Sequence, residues 1–307
     1  MPKDVWIPAA TRPEHRALLP DKVTVHEVPA GSLPAKLGGG EFLVADFNFA
    51  RVVQVIEKIE GLRVVQTMAA GVDRLVGLAP GGITLCDAAG VHDVPVAEWV
   101  VMTILASYHN LPGFIDAQQS GRWRHEGPFA GGDDLEGKTV LIVGHGSIGR
   151  AVEARLTPFG VRFLRVARHQ RPGVHTLAEL PELLPQADVV VILLPLTAET
   201  RGLIDERFLG AMRHGALLVN PARGAIVDTQ ALTSAVRGGR IRAALDVTDP
   251  EPLTDNHPLW SAPGVLITPH VAGSVRGFVN RAWRLIADQV RRYEAGEPLR
   301  NVVVDGY

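Results

Sequence analysis

The chain has 307 residues, enough for about two domains, with 31 basic and 33 acidic side chains and a net charge of −2. That balance, with no basic run suited to a phosphate backbone, excludes a nucleic-acid surface; 46% hydrophobic and 21% charged residues can build a large core. The single cysteine, Cys86, excludes an intramolecular disulfide framework and fits a reducing compartment.

Met1-Pro2-Lys3-Asp4 leads into an apolar run broken by Pro8, unlike a secretory leader. No uncharged stretch approaches the ~18 residues of a membrane span. A cytoplasmic protein is expected. Val5-Trp6-Ile7, Val23-Thr24-Val25, Phe42-Leu43-Val44-Ala45, residues 62–67 and Ile83-Thr84-Leu85-Cys86 read as strands. Gly38-Gly39-Gly40 reads as a turn, and residues 50–59 have helical spacing. Alternating strands and helices predict a parallel sheet in an α/β domain. Residues 94–110 form a long helix that is apolar nearly all round, which predicts burial between domains or subunits. Residues 111–135 are polar and read as an excursion.

The next stretch organises the rest. Thr139-Val140-Leu141-Ile142-Val143 is an apolar strand, Gly144-His145-Gly146-Ser147-Ile148-Gly149 follows, and a helix begins at once. Gly144 permits the tight turn, Gly146 lets a pyrophosphate reach the backbone, and Gly149 lets the helix pack close to the strand. The N–H groups of the first helical turn, around Ser147 and Ile148, then hold phosphates. A second strand, 161–166, completes the dinucleotide-binding unit.

The end of that strand speaks to cofactor choice. An NAD site usually has an acid about 20 residues beyond the glycines, on the ribose 2′-hydroxyl. Here Ala167 stands in that place, followed by Arg168, His169 and Arg171. A carboxylate would repel a 2′-phosphate, whereas a guanidinium binds one through a fork. NADP(H) is preferred, and NAD(H) stays open.

Further strands are read at 187–194, 216–220, 243–247 and 265–268, then an amphipathic helix at 278–295 stopped by Gly296 and Pro298. In parallel sheets ligands sit at the carboxyl ends of strands, where Pro195, Arg223, Asp246 and His270 fall. Three turns there carry chemical side chains: Asn220-Pro221-Ala222-Arg223-Gly224, Asp246-Val247-Thr248-Asp249-Pro250-Glu251-Pro252-Leu253 and Thr268-Pro269-His270-Val271-Ala272-Gly273.

With the glycine unit, these turns resemble the D-isomer-specific 2-hydroxyacid dehydrogenase family, strongly over residues 94–273 and moderately over 66–73. The resemblance implies a catalytic set of Arg223, Glu251 and His270. His270 would be the acid that protonates the carbonyl oxygen as hydride reaches C2, a task suited to an imidazole titrating near neutrality. Glu251 would orient the ring, with nearby Asp249 the residue most easily confused for it. Arg223 would bind the substrate carboxylate, together with the turn Ala70, Gly71 and Val72. Asp246 would bond the nicotinamide carboxamide. Leu194, Pro195, Thr200, Pro221, Ala222 and Gly273, with His270, would complete the cofactor channel. No metal is implied.

Two departures narrow the reading. Ala167 argues against an NAD site, and the Ala69-Ala70-Gly71 turn lacks the lysine of phosphite-oxidising relatives. Formate-oxidising relatives pair the histidine with glutamine, which Glu251 is not. The expected fold is α/β, two doubly wound parallel-sheet domains, with a Rossmann cofactor domain (99–271) inserted into a flavodoxin-like substrate domain (1–98 plus 272–307). The expected function is NAD(P)H-dependent, NADPH-preferring reduction of a small 2-oxo acid, glyoxylate- or hydroxypyruvate-like, by a homodimer without nucleic-acid or membrane partners. The alternative is a nucleotide-sensing binding protein of the corepressor type, which shares this fold.

Overall fold

A computed structural model describes residues 3–77, 81–125, 127 and 131–304; Met1-Pro2 and part of the 111–135 excursion lie outside the described residues. In chain order the elements are β1 (Lys3–Pro8), α1 (Pro13–Arg16), β2 (Val23–Val28), β3 (Gly38–Gly39), β4 (Phe42–Ala45), α2 (Phe49–Ile56), β5 (Ile59–Glu60), β6 (Val64–Thr67) and β7 (Thr84–Cys86). Then come α3 (Asp93–Tyr108), α4 (Leu111–Gln119), β8 (Thr139–Val143), α5 (Ser147–Leu156), β9 (Arg162–Val166), α6 (Leu180–Leu183) and β10 (Val189–Ile192). The chain ends with α7 (Glu206–Ala211), β11 (Leu217–Asn220), α8 (Thr229–Arg237), β12 (Arg242–Leu245), β13 (Val265–Ile267) and α9 (Phe278–Ala295).

The chain divides into two compact units, one of Met1–His92 with Val275–Tyr307, the other of Asp93–Ser274. In the first, five strands run parallel in the order β2-β1-β4-β6-β7, the flavodoxin-like doubly wound order. Helix α9 covers one face with a stripe at Ala282, Ile286 and Val290, beside fully buried Trp283, against Val5, Ile7, Phe42, Val44 and Val64. Gly296, at φ +72°, ends the helix, and the tail then bridges Cys86 through Val302. Gly38 and Gly39 are not a simple turn: they pair with Ile59 and Glu60 in a two-stranded sheet, so the α2 helix ends at Ile56, short of the expected 59.

The second unit holds six parallel strands in the order β13-β12-β11-β10-β8-β9, a Rossmann-type sheet. Its central strands β8, β10 and β11 are almost continuously apolar and buried throughout because both faces are covered. Leu141 and Val143 of β8 enter one cluster with Val190 and Ile192 of β10, and Val140 and Ile142 enter the other with Val189 and Val191. Helix α3 supplies Val96, Ala97, Trp99, Val100 and Ile104 to the second cluster, while Met102 stays 53% exposed. The 111–135 stretch begins as a helix, α4: Pro112 at the start pre-sets the first turn, and only Ala117 on it is buried, so its polar composition masked it. No helix among the described residues is long and apolar enough to cross a membrane.

Candidate active site

The glycine turn sits where β8 ends beside β10, the two strands being paired in register. Gly144 adopts φ +112°, and a Cβ there would lie 2.5 Å from the Leu193 carbonyl carbon. At Gly149 a Cβ would lie 2.6 Å from the Gly144 oxygen, so the first turn of α5 could not close on the strand. Gly146 differs: a Cβ there would meet nothing within 4 Å, so what glycine preserves is open space above the backbone. It also N-caps α5 with no side-chain cap, so the first N–H groups of the helix are left for a ligand. A cramped first and third glycine with an open second one fits a bound pyrophosphate. Ser147 at the helix start donates to the Asp93 carboxylate.

Beyond β9, Ala167 is 9% exposed and contributes no charge, while Arg168, His169 and Arg171 are exposed. The opposite wall is built by the residues after β10. Leu194 is 7% exposed, and the Thr200 hydroxyl closes the turn, donating to the Pro195 carbonyl (2.6 Å) and accepting from Thr197 N–H (2.8 Å). That donor is therefore engaged within its own turn.

The three chemical turns leave the carboxyl ends of adjacent strands β11, β12 and β13. After β11, buried Asn220 shapes the first: its Oδ1 accepts from Ala222 N–H (3.0 Å) and its Nδ2 donates to the Arg223 carbonyl (3.0 Å). Arg223 Nη1 donates to the Ala222 carbonyl (2.7 Å). Gly224 follows because a Cβ would lie 1.9 Å from the Thr248 oxygen, so the first turn lies directly against the second. Pro221 and Ala222 are half-buried beside them.

After β12, Asp246 is 2% exposed and braces the third turn rather than projecting from it. Its Oδ1 accepts from Thr268 Oγ1 (2.6 Å) and Val271 N–H (2.9 Å), and its Oδ2 from Ala272 N–H (2.8 Å). Trp99 Nε1 donates to the same Thr268 hydroxyl at 3.0 Å. The Asp246 carbonyl accepts from His270 N–H at 2.7 Å. Held this way, His270 adopts φ +55°, a left-handed conformation costing about 1–3 kcal/mol for such a residue. Its ring is half-exposed, and Nδ1 lies 2.6 Å from Glu251 Oε1. Asp249 is not the partner; Thr229 holds its carbonyl at 2.6 Å. Gly273 lies inside the turn that Ser274 N–H closes on the Val271 carbonyl at 2.9 Å.

The second unit thus gathers Arg223, Asp246, Glu251 and His270 on one edge. Ala70, Gly71 and Val72 belong to the other unit, just past the end of β6, where Thr67 Oγ1 donates to the Ala69 carbonyl (2.6 Å) and Val72 is fully buried. Sequence reasoning passed over the braces Asn220, Thr268 and Trp99. Asn220 and Thr268 stood inside quoted motifs, and the signal was their hydrogen-bonding side chains at the ends of apolar strands. No cluster of metal-ligating side chains occurs among the described residues.

Comparison with known proteins places this arrangement. Residues 101–272 match the model of the D-isomer specific 2-hydroxyacid dehydrogenase NAD binding domain. The chain is 36% identical over 262 residues to the chloroplastic/mitochondrial formate dehydrogenase of Arabidopsis thaliana, covering 81% of this chain and 68% of the relative. It is 36% identical over 248 residues to human glyoxylate reductase/hydroxypyruvate reductase, covering 78% and 76%. A crystal structure of a D-isomer specific 2-hydroxyacid dehydrogenase from Xanthobacter autotrophicus Py2, in complex with NADPH and MES, superposes with a TM-score of 0.82 at 30% identity, over 99% of this chain and 100% of that one. The chain therefore belongs to the D-isomer specific 2-hydroxyacid dehydrogenase family and is an NAD(P)-dependent oxidoreductase of that family.

Proposed function

We propose that the protein reduces a small 2-oxo acid, of the glyoxylate or hydroxypyruvate type, to the D-2-hydroxy acid, with NADPH preferred to NADH. The observation that carries this reading is the 2.6 Å pairing of His270 Nδ1 with Glu251. When bound, the nicotinamide cofactor supplies the hydride that reaches C2. The carbonyl oxygen then needs a proton, and His270 gives it; in reverse, His270 takes it back. Glu251 keeps a proton on Nδ1 and fixes the ring's orientation, which leaves Nε2 for the substrate. Arg223 binds the carboxylate and polarises the carbonyl through its donor fork. Asp246, with three donors already on it, has about one of ~four acceptor positions left for a carboxamide N–H. The turn at Ala70, Gly71 and Val72 is assigned to the carboxylate by family likeness alone.

Formate oxidation is the competing chemistry, given the Arabidopsis relative's name. Formate loses a hydride and becomes CO2 with no proton to move, so it has no use for an acid–base pair. The His270–Glu251 pair favours oxo-acid reduction. NADPH is favoured because Ala167 presents no carboxylate to a 2′-phosphate, while Arg168, His169 and Arg171 present cations or donors. A homodimer is favoured by Met102, Leu111, Ile115 and Trp123, which are 53%, 48%, 45% and 96% exposed on α3, α4 and the segment after them; light scattering tests it. For the activity, cofactor oxidation is followed with glyoxylate, hydroxypyruvate, bulkier 2-oxo acids and, in reverse, formate. Turnover of hydroxypyruvate to D-glycerate with NADPH is expected. Formate oxidation without oxo-acid reduction overturns the reading.

A further inference from the structure

A part-buried polar cluster lies at the glycine turn, outside the proposed catalytic set. His145, between the first two glycines, is 8% exposed. Its Nε2 lies 2.7 Å from Glu153 Oε2 on α5. Arg165 of β9 grips the same carboxylate through Nε (2.8 Å) and Nη2 (2.5 Å). On the other side of the ring, Arg171 Nη2 donates to the His145 carbonyl at 2.7 Å and faces Nδ1 at 3.2 Å. Arg165 first, and His145 after it, hold Glu153 below the usual carboxylate range. An ionised Glu153 only accepts, so the proton belongs on Nε2. In the neutral ring Nδ1 is then an acceptor, which is what Arg171 requires.

Arg171 is delivered there by the chain. Pro172 and Gly173 (φ +74°) make a tight turn, closed by Val174 N–H on the Arg171 carbonyl at 2.9 Å. The return strand pairs beside β9 through Val166 and His175, with Ala167 N–H on the His175 carbonyl at 2.9 Å. The guanidinium therefore folds back onto the glycine turn. Its Nε and Nη1 make no hydrogen bond to the described residues, and the residue is exposed.

Resting on the NADPH reading, we infer that His145 is a positioning residue for cofactor specificity: its Nδ1, aimed by Glu153, holds Arg171 at the glycine turn with donors to spare for a ribose 2′-phosphate. The test uses half-cofactors, so turnover plays no part. Dissociation constants for adenosine 2′,5′-bisphosphate and for AMP are measured by calorimetry at pH 8, and their ratio reads 2′-phosphate recognition. The parent should favour the bisphosphate by about tenfold or more. Arg171→Ala should lose about three- to tenfold of that ratio, with AMP affinity unchanged. Two polar variants separate the sides of the ring. His145→Asn places Oδ1 where Nδ1 stood and should keep the ratio; His145→Gln reaches toward Glu153 only and should lose it as Arg171→Ala does. A parent ratio near one sinks the NADPH reading itself. With the parent ratio intact, equal ratios in the two histidine variants, the opposite order, or an Arg171→Ala protein that discriminates like the parent overturns the role of His145.

Discussion

The two sheets share a construction, yet the buried Gln66–Gln289 pair of the first and the buried Asn220 and Asp246 of the second serve different ends. In the first unit two buried glutamines join elements to one another. Gln66, fully buried on β6, donates to the Thr67 and Asp87 carbonyls (2.9 and 2.8 Å) and accepts from Gln289 of α9 (2.8 Å). Gln289 also donates to the Arg300 carbonyl and accepts from Arg300 N–H, both at 2.8 Å. The network is closed, tying sheet, helix and tail. In the second unit Asn220 and Asp246 are as deeply buried, but each braces a turn that carries a residue of the proposed site, Arg223 or His270. The glutamine pair holds the fold together, and the Asn220 and Asp246 braces position the groups proposed to act on substrate. The two should fail differently when broken.

The largest effect should come from the second edge. His270→Gln removes the proposed proton donor and should lower kcat by about 10²–10⁴-fold. Melting temperature and cofactor affinity should change little, because the ring is half-exposed and the braces do not use it. A variant with near-parental kcat, under conditions where chemistry limits turnover, would sink the acid–base assignment. Gln289→Leu attacks the first edge. It orphans Gln66 Oε1 and both backbone groups of Arg300, at a cost of about 2–4 kcal/mol. Denaturant titration should show that loss, and the protein that remains folded should turn over normally. A loss of kcat without loss of stability would contradict the division of roles.

The edge proposed as catalytic was more legible in sequence than the pairings around it. Glycines at fixed offsets after an apolar run state their own geometry, and Gly144, Gly146 and Gly149 behave in space as their spacing implies. Turns at the ends of buried strands announce themselves too, because Arg223, Glu251 and His270 are costly to place in an apolar run without a task. Less legible was pairing that depends on the folded chain. The return of Arg171 through Pro172-Gly173 left only a loop signature. Gly38-Gly39 pairs with Ile59-Glu60 although its residues predict a turn, since the partner twenty residues on is what makes it a strand. Helix α4 hid because its one buried residue gives no periodicity.

Cofactor choice is a smaller effect at the rim of the second unit. One charge-assisted contact from Arg168 to a 2′-phosphate would contribute about 1.5–3 kcal/mol, roughly ten- to a hundredfold in kcat/KM for NADPH over NADH. Arg168→Ala should reduce the ratio, Ala167→Asp combined with it should reverse it, and added salt should shrink the parent's preference because the loop is exposed. A parent that uses NADH as well as NADPH at low salt would remove the preference from the proposed function.

The smallest effect returns to the first unit and sharpens the contrast. Asp87 follows β7, where its carbonyl accepts from Gln66 and its Oδ1 from Ala89 N–H at 2.8 Å. Burial pushes its carboxyl up from 3.8 to about 6. The folded state therefore holds this proton more tightly than the unfolded chain, and stability falls as pH rises through that window. Above pH ~6 the penalty is fully present; below pH ~4 it is absent. Two pKa units correspond to about 3 kcal/mol at full value. Asp87 keeps part of its surface in water, so about 1–2 kcal/mol is the expected size after screening. Asp87→Asn keeps an oxygen for Ala89 N–H and removes the charge. It should therefore stabilise the protein at pH 8 and become neutral toward pH 4, with the parent measured alongside at each pH so that other carboxyl groups cancel. A gain that does not vary with pH would mean that the charge is not what costs stability there. A loss at pH 8 would mean that the carboxylate has a charged partner, and that this end of the first sheet resembles the working edge of the second.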